Sequence, residues 1–174
     1  MTEGNAEGTG RIDALRAAAE ANDARAQVEL ANRLFFGEGV ARDPEEAYRW
    51  MRKAAEAGVA EAQSKVGFFL TMGFGVAPDP KGAIRWFLRG LKGGYAKAGY
   101  NLGEAYQMGR HVTFSPRRAW FFFSKAVELG QEAAHYGLAR LCYKGQGVPK
   151  DVGKSMEHLR RALVLLKEAG WEVK

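Results

Sequence analysis

The segments GEGVARDPEEAYRW, GFGVAPDPKGAIRW, GRHVTFSPRRAWFF and GQGVPKDVGKSMEH begin at Gly37, Gly73, Gly109 and Gly145, each 36 residues after the one before. Other positions keep the same register: Ala26, Ala62, Ala98 and Ala134; Leu30, Val66, Leu102 and Leu138; Ala47, Ala83, Ala119 and Ser155; Trp50, Trp86, Phe122 and His158. A fixed period of this length marks stacked supersecondary units, because one unit cannot bury its own apolar face and must lean on its neighbours.

Each unit reads as two helices. In the first unit, the first helix covers about residues 24–36 and carries Ala26, Leu30, Ala31 and Leu34 on one stripe, with small residues where a neighbouring helix comes close. Gly37 ends it, and the loop glycines supply the positive φ of a C-cap and turn. Val40, Val76, Val112 and Val148 are expected to plug the gap between the two helices. The second helix opens at Asp43-Pro44-Glu45-Glu46, with an acceptor at N-cap, proline at the first helical position and a carboxylate at N3. Such a cap stabilises by about 1 kcal/mol. Asp79-Pro80 and Ser115-Pro116 repeat it, and Asp151 keeps only the cap. Gly58, Gly94 and Gly130 end these helices, with Lys53, Arg89, Lys125 and Arg161 placed to suit the negative end of the dipole.

The ends differ from the middle. Ala18-Ala19-Glu20-Ala21-Asn22 matches Ala54-Ala55-Glu56-Ala57-Gly58 at the same offset, so residues 11–22 read as an orphan second helix that caps the stack. The predicted organisation is a flexible segment 1–10, a single repeat solenoid over 11–170 and a tail 171–174. Within the solenoid the capping helix is followed by repeats 23–58, 59–94, 95–130 and 131–166, and 167–170 completes the last helix. The expected fold class is all-α: a right-handed α-solenoid of helix-turn-helix hairpins, nine helices in all, with one concave face.

The full pattern, A-x3-L-A/G-x2-L/Y-x2-G-x-G-V-x2-D-x3-A-x2-W-x2-K/R-A-A-x2-G, is most complete from Ala26 to Gly58 and resembles the Sel-one-like repeat (SLR), a relative of the tetratricopeptide repeats. The likeness covers residues 11–170. The third unit departs from it in the loop, with His111 at the second glycine and Ser115 at the capping aspartate. The resemblance implies a non-enzymatic scaffold or adaptor that binds another protein or a peptide segment, as in bacterial signalling, envelope processes, host interaction and ubiquitin-ligase complexes. It also suggests a bacterial source for a free-standing chain of four repeats.

In tetratricopeptide-like stacks the first helix of each pair lines the concave groove. By register, the lining residues here are Asn32, Phe35 and Phe36, then Phe68 and Met72, then Tyr100, Glu104 and Met108, then Tyr136, Arg140, Tyr143 and Lys144. Arg25, Val28, Glu61, Ser64, Thr71, Lys97 and Gln107 extend the same rows. Aromatic residues are enriched at binding hot spots, and methionine adapts to varied partners. Asn32, Arg140 and Lys144 suit a peptide backbone or carboxylate. The competing expectation is that some of these rings only pack between successive hairpins.

Charge divides unevenly. Residues 1–58 hold 8 Lys/Arg against 11 Asp/Glu, whereas residues 59–174 hold 18 against 9. Nucleic acid is therefore the alternative partner. Helical-repeat RNA readers use coded polar pairs at fixed positions, and no such pair recurs here, so nucleic acid ranks behind a protein partner.

No enzyme is expected, and neither cofactor nor metal. The serines Ser64, Ser115, Ser124 and Ser155 begin no S-x-x-K and sit in no G-x-S-x-G elbow. His135 and Cys142 are seven residues apart on one helix, about 10 Å along its axis, too far to share a zinc ion. His158 takes the register of Trp50 and Trp86 and reads as a half-buried or core residue; His111 stands alone in a loop. Cys142 shares the register of Leu34, Leu70 and Tyr106, a buried stripe, and as the only cysteine it excludes an intramolecular disulfide framework. The loop glycines lack the preceding strand and the lysine of a phosphate-binding loop. The longest apolar runs fall far short of the ~20 residues of a membrane helix. MTEGNAEGTG has neither the basic nor the apolar region of a secretory signal, so the cytoplasm is the expected compartment, with periplasm or secretion only if a signal was already removed.

Overall fold

The computed structural model describes the backbone of residues 3–168 and the side chains of residues 11–164. Regular structure among the described residues is entirely helical: α1 (Glu3–Glu20), α2 (Ala24–Phe36), α3 (Pro44–Glu56), α4 (Ala60–Met72), α5 (Pro80–Lys92), α6 (Ala96–Met108), α7 (Pro116–Glu128), α8 (Ala134–Lys144) and α9 (Val152–Glu168). This is an all-α helical-repeat solenoid of four hairpins, α2/α3, α4/α5, α6/α7 and α8/α9, preceded by α1. The chain divides into two compact units, residues 1–93 and 94–174.

The loops repeat to the level of single hydrogen bonds. Asp43, Asp79, Ser115 and Asp151 donate their N–H groups to the carbonyls of Leu34, Leu70, Tyr106 and Cys142, which share one register. Their side chains turn the other way and accept the N–H of Glu46, Gly82, Arg118 and Lys154, as the capping pattern predicts. Gly37, Gly73, Gly109 and Gly145 all take positive φ as C-caps. His111 also adopts φ 60°, so the third loop keeps the left-handed turn without its glycine.

Three details differ from expectation. Helix α1 starts at Glu3, through Gly4, Gly8 and Gly10, where a flexible segment was expected; extending an existing helix adds one hydrogen bond per residue ordered, whereas starting one is costly. Glu46 does not close a capping box. Its carboxylate instead takes Arg16 at 2.5 Å and the Trp50 indole N–H at 3.1 Å, which ties α1 to α3 and holds Glu46 below the usual carboxylate range. Finally, α8 starts two residues later than its register, because Ala134 and His135 donate to Gln131 and Glu132 in a tighter turn. Helix α9 continues past the repeat boundary at 166, while the expected stop at Gly170 and the tail 171–174 lie outside the described residues.

Core packing explains the A/G alternative in the repeat. Phe87 of α5 lies on Gly67 of α4, where an added Cβ would come within 2.7 Å of the ring. Phe123 of α7 lies between Gly103 and Gly137, where added Cβ atoms would come within 2.5 and 2.6 Å. In the first and last hairpins the same register pairs a less bulky side chain with alanine: Met51 with Ala31, and Leu159 with Ala139. Close packing admits either combination, but not alanine beneath phenylalanine without repacking.

Candidate protein-binding face

Within residues 1–93 the first helices α2 and α4 share a face. Lys65 of α4 reaches Asn32 of α2 (Nζ to Oδ1, 3.0 Å) while also pairing with Glu61 at 2.6 Å. Beside it lies an aromatic cluster. The Phe35 ring stands 5.0 Å from Phe36, 5.0 Å from Phe69 and 5.3 Å from Phe74, and Phe68 stands 5.7 Å from Phe74. Phe36, Phe68 and Met72 project from it, with Phe36 65 % exposed. Phe35 is half-buried and works mainly as the platform under its neighbours. Phe74 was missed by register reasoning, since Glu38, Arg110 and Gln146 occupy its equivalent positions; an aromatic between two loop glycines was the available signal.

Within residues 94–174 the face of α6 and α8 is tyrosine and cation. Tyr100 feels Glu104 of its own helix and, from α8, Arg140 and Tyr136. Burial first, and Glu104 second, raise the Tyr100 hydroxyl above the usual phenol range. Its ring also packs 5.8 Å from Phe123, so Tyr100, like Phe35, belongs partly to the interior. The guanidinium of Arg140 lies 5.9 Å above the Tyr136 ring, and Lys150 lies 5.8 Å above Tyr143. Tyr136 (55 %), Tyr143 (61 %) and Met108 (40 %) stay exposed, as does Lys144. Two residues of the extended rows do not line the face: Ser64 and Gln107 are buried.

The remaining chemistry-bearing side chains have structural roles. Ser115 caps α7, and Ser155 donates to the Ala139 carbonyl at 3.0 Å inside the hairpin. Cys142 is buried, and burial raises its thiol. Sequence reasoning missed one pair. His135 of α8 and His158 of α9 meet Nδ1 to Nδ1 at 2.9 Å with rings stacked at 5.0 Å, and Trp120 stands edge-on to His158. His135 sits where Gln27 and Gln63 donate to the carbonyls of Ala19 and Ala55, a register match that marks a buried polar position. No cluster of three or more metal-ligating side chains occurs among the described residues. No described helix is long and apolar enough to cross a membrane.

Four equivalent helical hairpins with register-matched caps and loops define a helical-repeat protein. The Sel1 repeat model matches residues 24–59, 60–95, 96–131 and 132–163, and the chain belongs to the Sel1 repeat family. Among solved structures it is similar to a protective antigen of uropathogenic Escherichia coli strains that displays an SLR fold, with 31% identity and a TM-score of 0.84 over 91% of this chain and 34% of that one. It is also similar to a Sel1 repeat protein of Oxalobacter formigenes, with 29% identity and a TM-score of 0.84 over 88% of this chain and 61% of that one. The chain thus spans about a third of the first relative and 61% of the second. A Pseudomonas aeruginosa protein, 19% identical with a TM-score of 0.52, shares the fold. No curated protein matches the chain. Sel1 repeat proteins are in general protein-interaction scaffolds and typically non-catalytic.

Proposed function

We propose that this chain is a non-enzymatic scaffold that binds a partner protein or peptide segment on the face of its first helices. The observation that carries the reading is where the exposed rings stand. Phe36, Phe68, Tyr136 and Tyr143 project from first helices, whereas the second helices expose Phe121 and a loop exposes Phe114. Rigid rings bury much area on binding at little entropic cost, and exposed apolar clusters on a folded protein mark interaction sites.

Phe36, Tyr136 and Tyr143 are the informative positions, because Phe35 and Tyr100 also support the core. A nuclease-treated pull-down from a lysate of the source organism should capture a defined protein, and the Phe36→Ala/Tyr136→Ala/Tyr143→Ala variant should weaken its binding by about 2 kcal/mol or more. Unchanged affinity in a folded variant rejects the face. Retention that appears only when nuclease is omitted favours the second reading, a nucleic-acid binder, which draws on the net +6 of residues 94–174 (13 Lys/Arg against 7 Asp/Glu).

A further inference from the structure

We propose that the α6/α8 face of residues 94–174 recognises an acidic peptide segment, with its carboxylates on Arg140 and Lys144 and its apolar side chains on Tyr136 and Tyr143. The inference rests on reading the first-helix face as the binding surface. Tyr136, Arg140, Tyr143 and Lys144 fall at i, i+4, i+7 and i+8 of α8, a strip about 12 Å long. Three cations belong to this face, Lys97, Arg140 and Lys144, and none has a carboxylate partner among the described residues. In the second helices Lys125, Lys154 and Arg161 are paired with Glu128, Asp151 and Glu157 while Arg117 and Arg160 are not, so what sets Arg140 and Lys144 apart is that they share one strip with the exposed rings of Tyr136 and Tyr143. Arg140 is held by the Tyr136 ring, and Lys150 by the Tyr143 ring. A cation over a ring keeps its outward N–H donors open, and a guanidinium presents them in the geometry a carboxylate accepts in pairs.

Charge complementarity selects the occupant. An acidic segment meets positive charge across this unit, and its carboxylates can be spaced to suit the fixed cations. A phosphate backbone carries charge at every nucleotide, and here Glu104, which acts on Tyr100 as Arg140 does, puts a carboxylate on the same face. The same register in the other repeats has no such pairing. Arg140 is matched by Asn32, Phe68 and Glu104, and Lys144 by Phe36, Met72 and Met108, so the proposed specificity belongs to the last hairpin.

The test is selection of a random-peptide display library on the immobilised full chain. The selected peptides are expected to be rich in Asp and Glu interleaved with Leu or aromatic residues. Synthetic versions carrying Gln for Glu should bind about tenfold more weakly or worse, the loss expected for one charge-assisted hydrogen bond. Arg140→Glu/Lys144→Glu should abolish the acidic enrichment, and the exposed Lys144→Glu alone should reduce it. Arg117→Ala/Arg160→Ala removes two cations of the second helices that also lack a carboxylate partner among the described residues, and should leave binding within twofold. Selected peptides without acidic excess, or equal losses in both double variants, overturn the proposal. If neutral peptides are selected and lost with Phe36→Ala/Phe68→Ala, the first-helix reading stands and the acidic specificity falls. If no peptide is selected while a labelled uridine oligonucleotide is retained, both fall in favour of RNA.

Discussion

Phe35 and Tyr143 occupy the same register, three periods apart, and each ring lies 5.8 Å beneath a cation, Arg42 in one case and Lys150 in the other. Around Phe35 the first unit adds Phe36, Phe69 and Phe74, and the ring is half-buried. Around Tyr143 no comparable cluster occurs among the described residues of the second unit, and the ring is exposed. The contrast extends to charge: residues 1–93 hold 13 Lys/Arg against 13 Asp/Glu, and residues 94–174 hold 13 against 7. All three histidines also lie in the second unit. One repeat geometry thus carries an aromatic platform in one unit and a tyrosine and cation strip in the other, because stacking constrains the inward positions and leaves the outward ones free.

The cores of the two units can be set against each other first. Phe123 rests on two glycines, whereas Phe87 rests on one. Phe123→Ala should destabilise by about 3–5 kcal/mol in urea unfolding followed by circular dichroism. Gly103→Ala should cost about 1–3 kcal/mol, and adding Phe123→Met, which recreates the Ala31 and Met51 pairing, should recover most of it. A neutral Gly103→Ala would mean that the ring and backbone do not pack as closely as the geometry requires.

A smaller effect should separate the units by pH. Burial first, and for His158 also the neighbouring His135, hold both imidazoles below their usual range. Among the described residues Glu132, Glu157 and Arg161 are the charged groups acting on the pair: the two carboxylates oppose that lowering and Arg161 adds to it. Below about pH 6.5 the unfolded chain takes up protons that the folded hairpin does not. Stability should therefore be full above that pH and fall as pH drops toward the lower folded values. His135→Gln/His158→Trp installs the residues of the first two repeats and should flatten this dependence in thermal melts; an unchanged slope would assign it to carboxylates. The smallest expected effect is at the third loop. His111→Gly relieves a left-handed residue and should raise stability by at most about 1 kcal/mol, with a lowered melting temperature as the contrary result.

The helices, caps and loop turns were legible because each is set by residues within one period, and fourfold repetition exposes their register. The face was legible as a set of positions, yet not residue by residue. Register placed Phe35 with Phe36 and Gln107 with Met108, but only neighbours from other helices decide that Phe36 projects and Gln107 is buried. Phe74 and the histidine pair escaped for the same reason, since His135 and His158 lie 23 residues apart and meet only when α8 packs on α9.

By itself, the sequence determined the period, the helical hairpin and its caps, because these depend on local backbone preferences and on the spacing of apolar residues. Tertiary structure alone decided which large side chains became platform and which stayed open, and it alone brought Arg16 to Glu46 and His135 to His158. Burial and these two pairings depend on distances between side chains far apart in the chain, and no spacing along it encodes them, whereas the ion pairs three or four residues apart on one helix follow from spacing.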